Sequence, residues 1–252
     1  MEKYFELMMS TLSTPFVYFN KIETENSKSE KFFSDGINAM KDNDYNSAIN
    51  NFYSSYKEDN NSVESLNNTA ALFNSFGRIN DSIKLFETGI NKSPKNAQLR
   101  YNFGTLLFMN NILNDARSQL EQAYSIDPKN APISNNYALA HFSLRNFNEA
   151  KVLLDETIKN DDKFEIVYHN MAHILMAEKN FEGAENYFKK ALEINENNVV
   201  TINDLGCCYC NMGRVEDGIV LFKKAASLNP NFKNSYFNLG YVLLKENFSF
   251  SI

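Results

Sequence analysis

The chain has 252 residues, a formal net charge of −6 and 43% hydrophobic residues. With no Lys/Arg cluster on one face, that charge balance speaks against nucleic acid as a partner. No apolar stretch of about 18 residues occurs, and Glu2 and Glu6 stand where a leader would be basic and then apolar, so neither a membrane span nor a classical signal peptide is expected.

At the N-terminus, Tyr4, Phe5, Met8, Met9 and Leu12 follow helical spacing, which predicts a short amphipathic helix to about Ser10. Pro15 then introduces the apolar run Phe16-Val17-Tyr18-Phe19, biased toward an extended form, and Lys21 to Glu30 is polar. Residues 1–28 read as an arm. It either caps the apolar edge of the next element or docks in a groove of this or another molecule.

From residue 29 onward the chain repeats. Asn68, Asn102, Asn136 and Asn170 stand 34 apart, with Asp204 in the next slot and Asn238 after it. Small residues keep the same register at Gly36, Ala70, Gly104, Ala138, Ala172, Gly206 and Gly240. A second small position (Ala48, Ser82, Ala116, Ala150, Ala184, Gly218) precedes a large apolar one (Phe52, Phe86, Leu120, Leu154, Phe188, Phe222), and a third small one follows at Ser55, Gly89, Ala123, Thr157, Ala191 and Ala225. Small residues let paired helices approach, and the large residue is expected to fill the gap to the next hairpin. Each unit reads as helix A, a polar turn and helix B: in the fifth, Glu165 to Glu178, Lys179-Asn180, and Phe181 to Ile194. Pro94, Pro128 and Pro230 fall at one phase just after a helix. The units are 29–62, 63–96, 97–130, 131–164, 165–198 and 199–232, with a partial seventh at 233–252.

This pattern resembles the tetratricopeptide repeat, with its small residues, its aromatic before the second helix (Tyr45, Phe147, Phe181) and its closing proline. The resemblance implies an all-α, right-handed α-solenoid of about six repeats plus a partial seventh, spanning 29–252. It also implies a protein-interaction scaffold or adaptor whose first helices line a concave groove. The closing proline is replaced by Asn60, Asp162 and Glu196, and no tryptophan is present. The chaperone-binding members of the family hold a carboxylate with Lys and Arg where this chain has Asn67, Pro132, Asn135 and Asn136, so acidic chaperone tails are not expected ligands.

The recurring asparagine lines up as a ladder. A carboxamide both donates and accepts, matching the N–H and C=O of an extended peptide. The chain is similar in this respect to the regulatory arm of O-linked N-acetylglucosamine transferases, which implies peptide binding by Asn68, Asn102, Asn136, Asn170 and Asn238. Asp204 breaks the series and would pair with a basic residue of the ligand. Inside a helix each asparagine costs roughly 0.5–0.7 kcal/mol relative to alanine, so five cost about 3 kcal/mol, offset either by hydrogen bonds between repeats or by a ligand. Asparagine is about one residue in seven, well above ordinary usage, which tempers weight placed on any single one. Tyr101, Phe108, Phe142, His169 and Met176 are the expected groove walls, with Met40, Met109 and Cys210 nearby, and suit apolar ligand side chains.

One constellation has chemical potential: His169 and His173, four apart, facing Cys207 and Cys210, three apart, in the next repeat. A solenoid needs no metal and ladder spacing already accounts for these positions, so neither metal nor cofactor is expected. Phosphate loops, paired catalytic carboxylates and nucleophile elbows are absent, so no enzyme is expected. The clustering of Cys207, Cys208 and Cys210 precludes a cross-fold disulfide framework and agrees with the cytoplasm. Two alternatives stay open: the recognition arm of a larger enzyme such as a glycosyltransferase, and a self-assembling scaffold of the magnetosome-associated tetratricopeptide type. Weak homo-oligomers are expected, because Tyr236, Leu239, Val242 and Leu243 lack a second helix to cover them and Phe248, Phe250 and Ile252 trail beyond.

Overall fold

The computed structural model describes residues 19–22 and 24–249, and within them the protein forms thirteen α-helices and no strand. The helix expected before Ser10 and the Phe16-Val17-Tyr18 run lie outside the described residues. Contacts divide the chain into two compact units, 1–144 and 145–252. The division falls inside the 131–164 unit of the sequence reading.

The first unit holds α1 (Ser27–Lys41), α2 (Tyr45–Glu58), α3 (Val63–Ser75), α4 (Ile79–Lys92), α5 (Ala97–Met109), α6 (Leu113–Ile126) and α7 (Ala131–Ser143). Helices α1 and α2, α3 and α4, and α5 and α6 pair as hairpins. The second unit holds α8 (Phe147–Asn160), α9 (Glu165–Ala177), α10 (Phe181–Ile194), α11 (Val199–Asn211), α12 (Val215–Leu228) and α13 (Lys233–Ser249), with α9 and α10, and α11 and α12, paired likewise.

Each hairpin turns on one residue in the left-handed region, Asn43, Gly77 and Asn111 in the first unit and Lys179 and Gly213 in the second, and Arg145 takes the same conformation ahead of α8. The following N–H closes onto the carbonyl five residues back, as in Arg78 to Phe73 (2.8 Å), Ile112 to Leu107 (2.9 Å), Asn180 to Leu175 (2.8 Å) and Arg214 to Tyr209 (2.9 Å), which satisfies the carbonyls of the helix end. Arg145 and Lys179 hold this conformation (φ 64° and 62°) with a Cβ in place, at a cost of about 1 kcal/mol. The first helices start equally regularly. Ser62, Asn96, Asn130 and Asn198 cap α3, α5, α7 and α11, each accepting from the N–H three residues on. Phe164 stands at the same phase and offers no such bond.

Inside a hairpin the small and large positions meet. A Cβ on Gly36 would come within 2.7 Å of the Phe52 ring, on Gly104 within 2.7 Å of Leu120, and on Gly206 within 2.7 Å of Phe222. The large residue therefore covers the small one of its own hairpin, whereas the sequence reading placed it in the gap to the next. That gap is closed at the third small position, where a Cβ on Gly89 would meet Leu99 of α5 at 2.9 Å and Leu66 of α3 at 3.0 Å. In the first hairpin the same position is Ser55, whose hydroxyl donates to the Ser29 carbonyl (2.8 Å) and lies 2.8 Å from the Ser65 hydroxyl. Among the described residues no helix is long and apolar enough to cross a membrane. On α13, Tyr236, Phe237, Tyr241, Leu243 and Leu244 are exposed, while Leu239 and Val242 are half-buried.

Candidate functional site

The ladder side chains sit on the first helix of each hairpin. Asn68, Asn102, Asn136, Asn170 and Asp204 are buried, and Asn238 is half-buried. Of the expected groove walls, Tyr101, Phe108, Phe142 and His169 are buried and Met176 is half-buried. Cys210 lies against the second helix of its own hairpin, where a methyl on Gly218 would collide with its Sγ.

Asn68 engages main chain. Its Oδ1 accepts from the N–H of Phe19 at 2.9 Å, and its Nδ2 donates to the Phe19 carbonyl at 2.8 Å. One carboxamide thus satisfies both peptide groups of a single residue, with no use of that residue's side chain. The Phe19 ring meanwhile packs, with Ile22, against a core of Phe33, Ala48, Phe52 and Leu72.

Asn102, Asn136 and Asn238 bond between hairpins. Asn102 Nδ2 donates to Asn67 Oδ1 at 2.7 Å, Asn136 Nδ2 to Tyr101 Oη (3.1 Å) and Thr105 Oγ1 (3.2 Å), and Asn238 Nδ2 to Asn203 Oδ1 (3.0 Å) and Cys207 Sγ (3.3 Å). A second asparagine series stands one residue earlier: Asn67, Asn135 and Asn203 donate to Asn68, Asn136 and Asp204 at 3.3, 3.2 and 3.0 Å. Sequence reasoning missed this companion row, although Asn67, Asn135 and Asn203 recur at twice the repeat length. Bonds of this kind, about 1 kcal/mol each, offset the helical cost of the asparagines.

The second unit carries a different closure. His173 Nε2 lies 3.0 Å from His169 Nε2 and 3.0 Å from Asp204 Oδ2, and His169 Nε2 lies 3.5 Å from the same oxygen. All three residues are buried. The Phe188 ring backs both imidazoles edge-on, with centroids at 5.6 and 5.5 Å. On its far side His169 Nδ1 is 2.9 Å from Thr201 Oγ1, which donates to Glu165 Oε1 at 3.3 Å; Asn198 Nδ2 donates to that oxygen at 3.1 Å. Burial, reinforced by the neighbouring His173 and opposed by Asp204, holds His169 down to about 3, so it is a neutral imidazole at neutral pH. Burial also raises Glu165 against the two bonds that favour its carboxylate. Among the described residues this is the one group of three or more His, Cys, Asp or Glu with metal-ligating geometry. The sequence reading set His169 and His173 opposite Cys207 and Cys210; the structure puts Asp204 there, leaving Cys207 beside Asn238 and Cys210 over Gly218.

Models of the tetratricopeptide repeat match residues 107–172, 166–198 and 187–219. Comparison with curated protein sequences gives no match. Among solved structures, PilW, a type IV pilus biogenesis factor, aligns with a TM-score of 0.74 at 17% identity, covering 86% of this chain and 99% of that one. The APC/C hetero-tetramer Cut9-Hcn1 aligns with a TM-score of 0.71 at 15% identity over 86% of this chain, which spans 43% of that one. YrrB, described as a tetratricopeptide protein with an unusual peptide-binding site, aligns with a TM-score of 0.55 at 14% identity, covering 74% of this chain and 96% of that one. At these identities the structures testify to fold alone. Hairpin recurrence and repeat models agree: residues 107–219 match the tetratricopeptide repeat, and the helical hairpins described above share the fold of tetratricopeptide proteins.

Proposed function

We propose that the protein is an interaction scaffold that holds an extended segment of a partner polypeptide by its main chain, through carboxamides on the first helices of its repeats. The fold supports the general role of a protein-interaction scaffold. The observation that carries the finer reading is the pair of bonds from Asn68 to the N–H and C=O of Phe19, in which a ladder residue holds a peptide unit that belongs to no helix. Contacts of that kind tolerate sequence variation in the ligand, and selection among ligands falls to neighbouring apolar side chains. The peptide-binding description of YrrB, a protein of similar fold, is consistent with this use. The net charge of −6 favours a protein over a nucleic acid partner, and three clustered thiols outside any disulfide fit a reducing compartment such as the cytoplasm.

The test is affinity capture with the full chain, followed by mapping of the captured protein on overlapping synthetic peptides. Binding should localise to a short segment without secondary structure. It should weaken about tenfold or more in the Asn102→Ala, Asn136→Ala double variant at unchanged helix content, the effect of removing two hydrogen-bonding groups. Capture of a folded domain with the same affinity by both proteins sinks the reading and reassigns the ladder to holding repeats together.

A further inference from the structure

We propose that His169, His173 and Asp204 form a binding site for one divalent transition-metal ion, zinc by its ligand chemistry, with a coordination position left for a water or a ligand donor. The repeats provide an internal control. The slots filled here by His169, His173 and Asp204 are filled 68 residues earlier by Tyr101, Thr105 and Asn136, where the amide N–H group at the centre serves both hydroxyls. The same slots one repeat later hold Asn203, Cys207 and Asn238, and again the amide of the ladder residue donates to the other two. At Asp204 the donor is gone. A carboxylate oxygen and two imidazole nitrogens converge on a point where the sister interfaces place an N–H donor.

Protons do not fill that gap. Thr201 gives its hydroxyl proton to Glu165, so its oxygen accepts from His169 Nδ1–H, and this tautomer leaves a lone pair on His169 Nε2 facing the cluster. His173 Nε2 can carry one proton for two acceptors at 3.0 Å, and none remains for the 3.5 Å approach of His169 Nε2 to Asp204. A cation satisfies all three at once. An ion about 2.0–2.1 Å from three ligands at tetrahedral angles spaces them by about 3.4 Å, and the observed separations of 3.0, 3.0 and 3.5 Å need shifts of only a few tenths of an ångström. The surroundings suit it: His169 is anchored through Nδ1, Asp204 Oδ1 accepts from Asn203 at 3.0 Å so that Oδ2 turns inward, and Phe188 walls off one side. Two imidazoles and a carboxylate favour zinc and its neighbours over magnesium or calcium, which take oxygen. The proposal is independent of whether the ladder binds peptide.

The experiment uses the full chain, stripped with a chelator, dialysed, and titrated at neutral pH with zinc chloride by calorimetry and with cobalt chloride by visible absorption. One ion per chain is expected, with the absorption bands of four-coordinate cobalt. Asp204→Asn, which restores the amide of the sister interfaces, should weaken zinc binding at least about 100-fold, beyond the loss typical of an outer contact. The Cys207→Ser, Cys210→Ser double variant should bind as the parent does. The unmodified chain offers a further reading, since its three histidines allow His169 and His173 ring resonances to move on zinc addition while His141 stays in place. No binding by the folded parent, equal binding by Asp204→Asn, or loss in the cysteine variant would each overturn the proposal.

Discussion

The trio Tyr101, Thr105 and Asn136 in the first unit and the trio His169, His173 and Asp204 in the second occupy the same slots of the same hairpin geometry, yet they solve different problems. In the first, one amide hydrogen-bonds two hydroxyls and nothing charged is buried. In the second, a buried carboxylate faces two buried imidazoles. The difference teaches that a repeat frame fixes where side chains meet and leaves open what they do there. Chemistry can change at one joint without disturbing the rest.

The comparison stands only if the two frames are mechanically alike, and the largest effects test that. Phe86→Ala in the first unit and Phe188→Ala in the second each remove a fully buried ring, and each should cost about 3–5 kcal/mol by urea unfolding. A cost near zero at either position would show that the hairpins are not built on one plan. Gly104→Ala and Gly206→Ala press a methyl to 2.7 Å from Leu120 and Phe222, so each should lose about 1–3 kcal/mol through overpacking. Asp204→Asn sharpens the contrast from the other side. In the metal-free protein it should raise stability by about 1–2 kcal/mol, because an N–H donor replaces a buried charge, and zinc should then no longer shift the melting temperature. The smallest effect concerns the turns. Lys179→Gly should stabilise by up to about 1 kcal/mol and Gly213→Ala destabilise by a similar amount, since both positions have positive φ and a Cβ on Gly213 meets nothing. Thermal unfolding of the two variants reads this directly.

The recurrence at Asn68, Asn102 and Asn136 was enough to set hairpin register, because a 34-residue period in small and large residues has few structural solutions. Helix bounds in the fifth unit agree with the sequence reading to one residue at the end of α9. The interior of the joints was less legible. Periodicity shows that Asn136 recurs but not which way its amide turns, and the partner Tyr101 is an aromatic that breaks the asparagine pattern one residue before the ladder. The cysteines misled for a related reason: spacing along α11 put Cys207 and Cys210 on a shared face, but the close packing of Gly218 draws Cys210 toward α12. The bonds from Asn68 to Phe19 span 49 residues and join main chain to side chain, a contact with no signature in residue type.

The placement of the large side chain over the small one within its own hairpin bears on how such a chain can gain or lose length. Phe52 over Gly36, Leu120 over Gly104 and Phe222 over Gly206 keep each hairpin's tightest fit inside one stretch of sequence, so excising or duplicating 34 residues leaves every surviving pair whole. The amide bonds between hairpins are nearly as forgiving, since one carboxamide can replace another across a new junction. The junction of α9 with α11 is the exception, for its two imidazoles and its carboxylate are contributed from opposite sides and any rearrangement that parts them strands a buried charge. Among interchangeable modules, these two neighbours are bound to be inherited together.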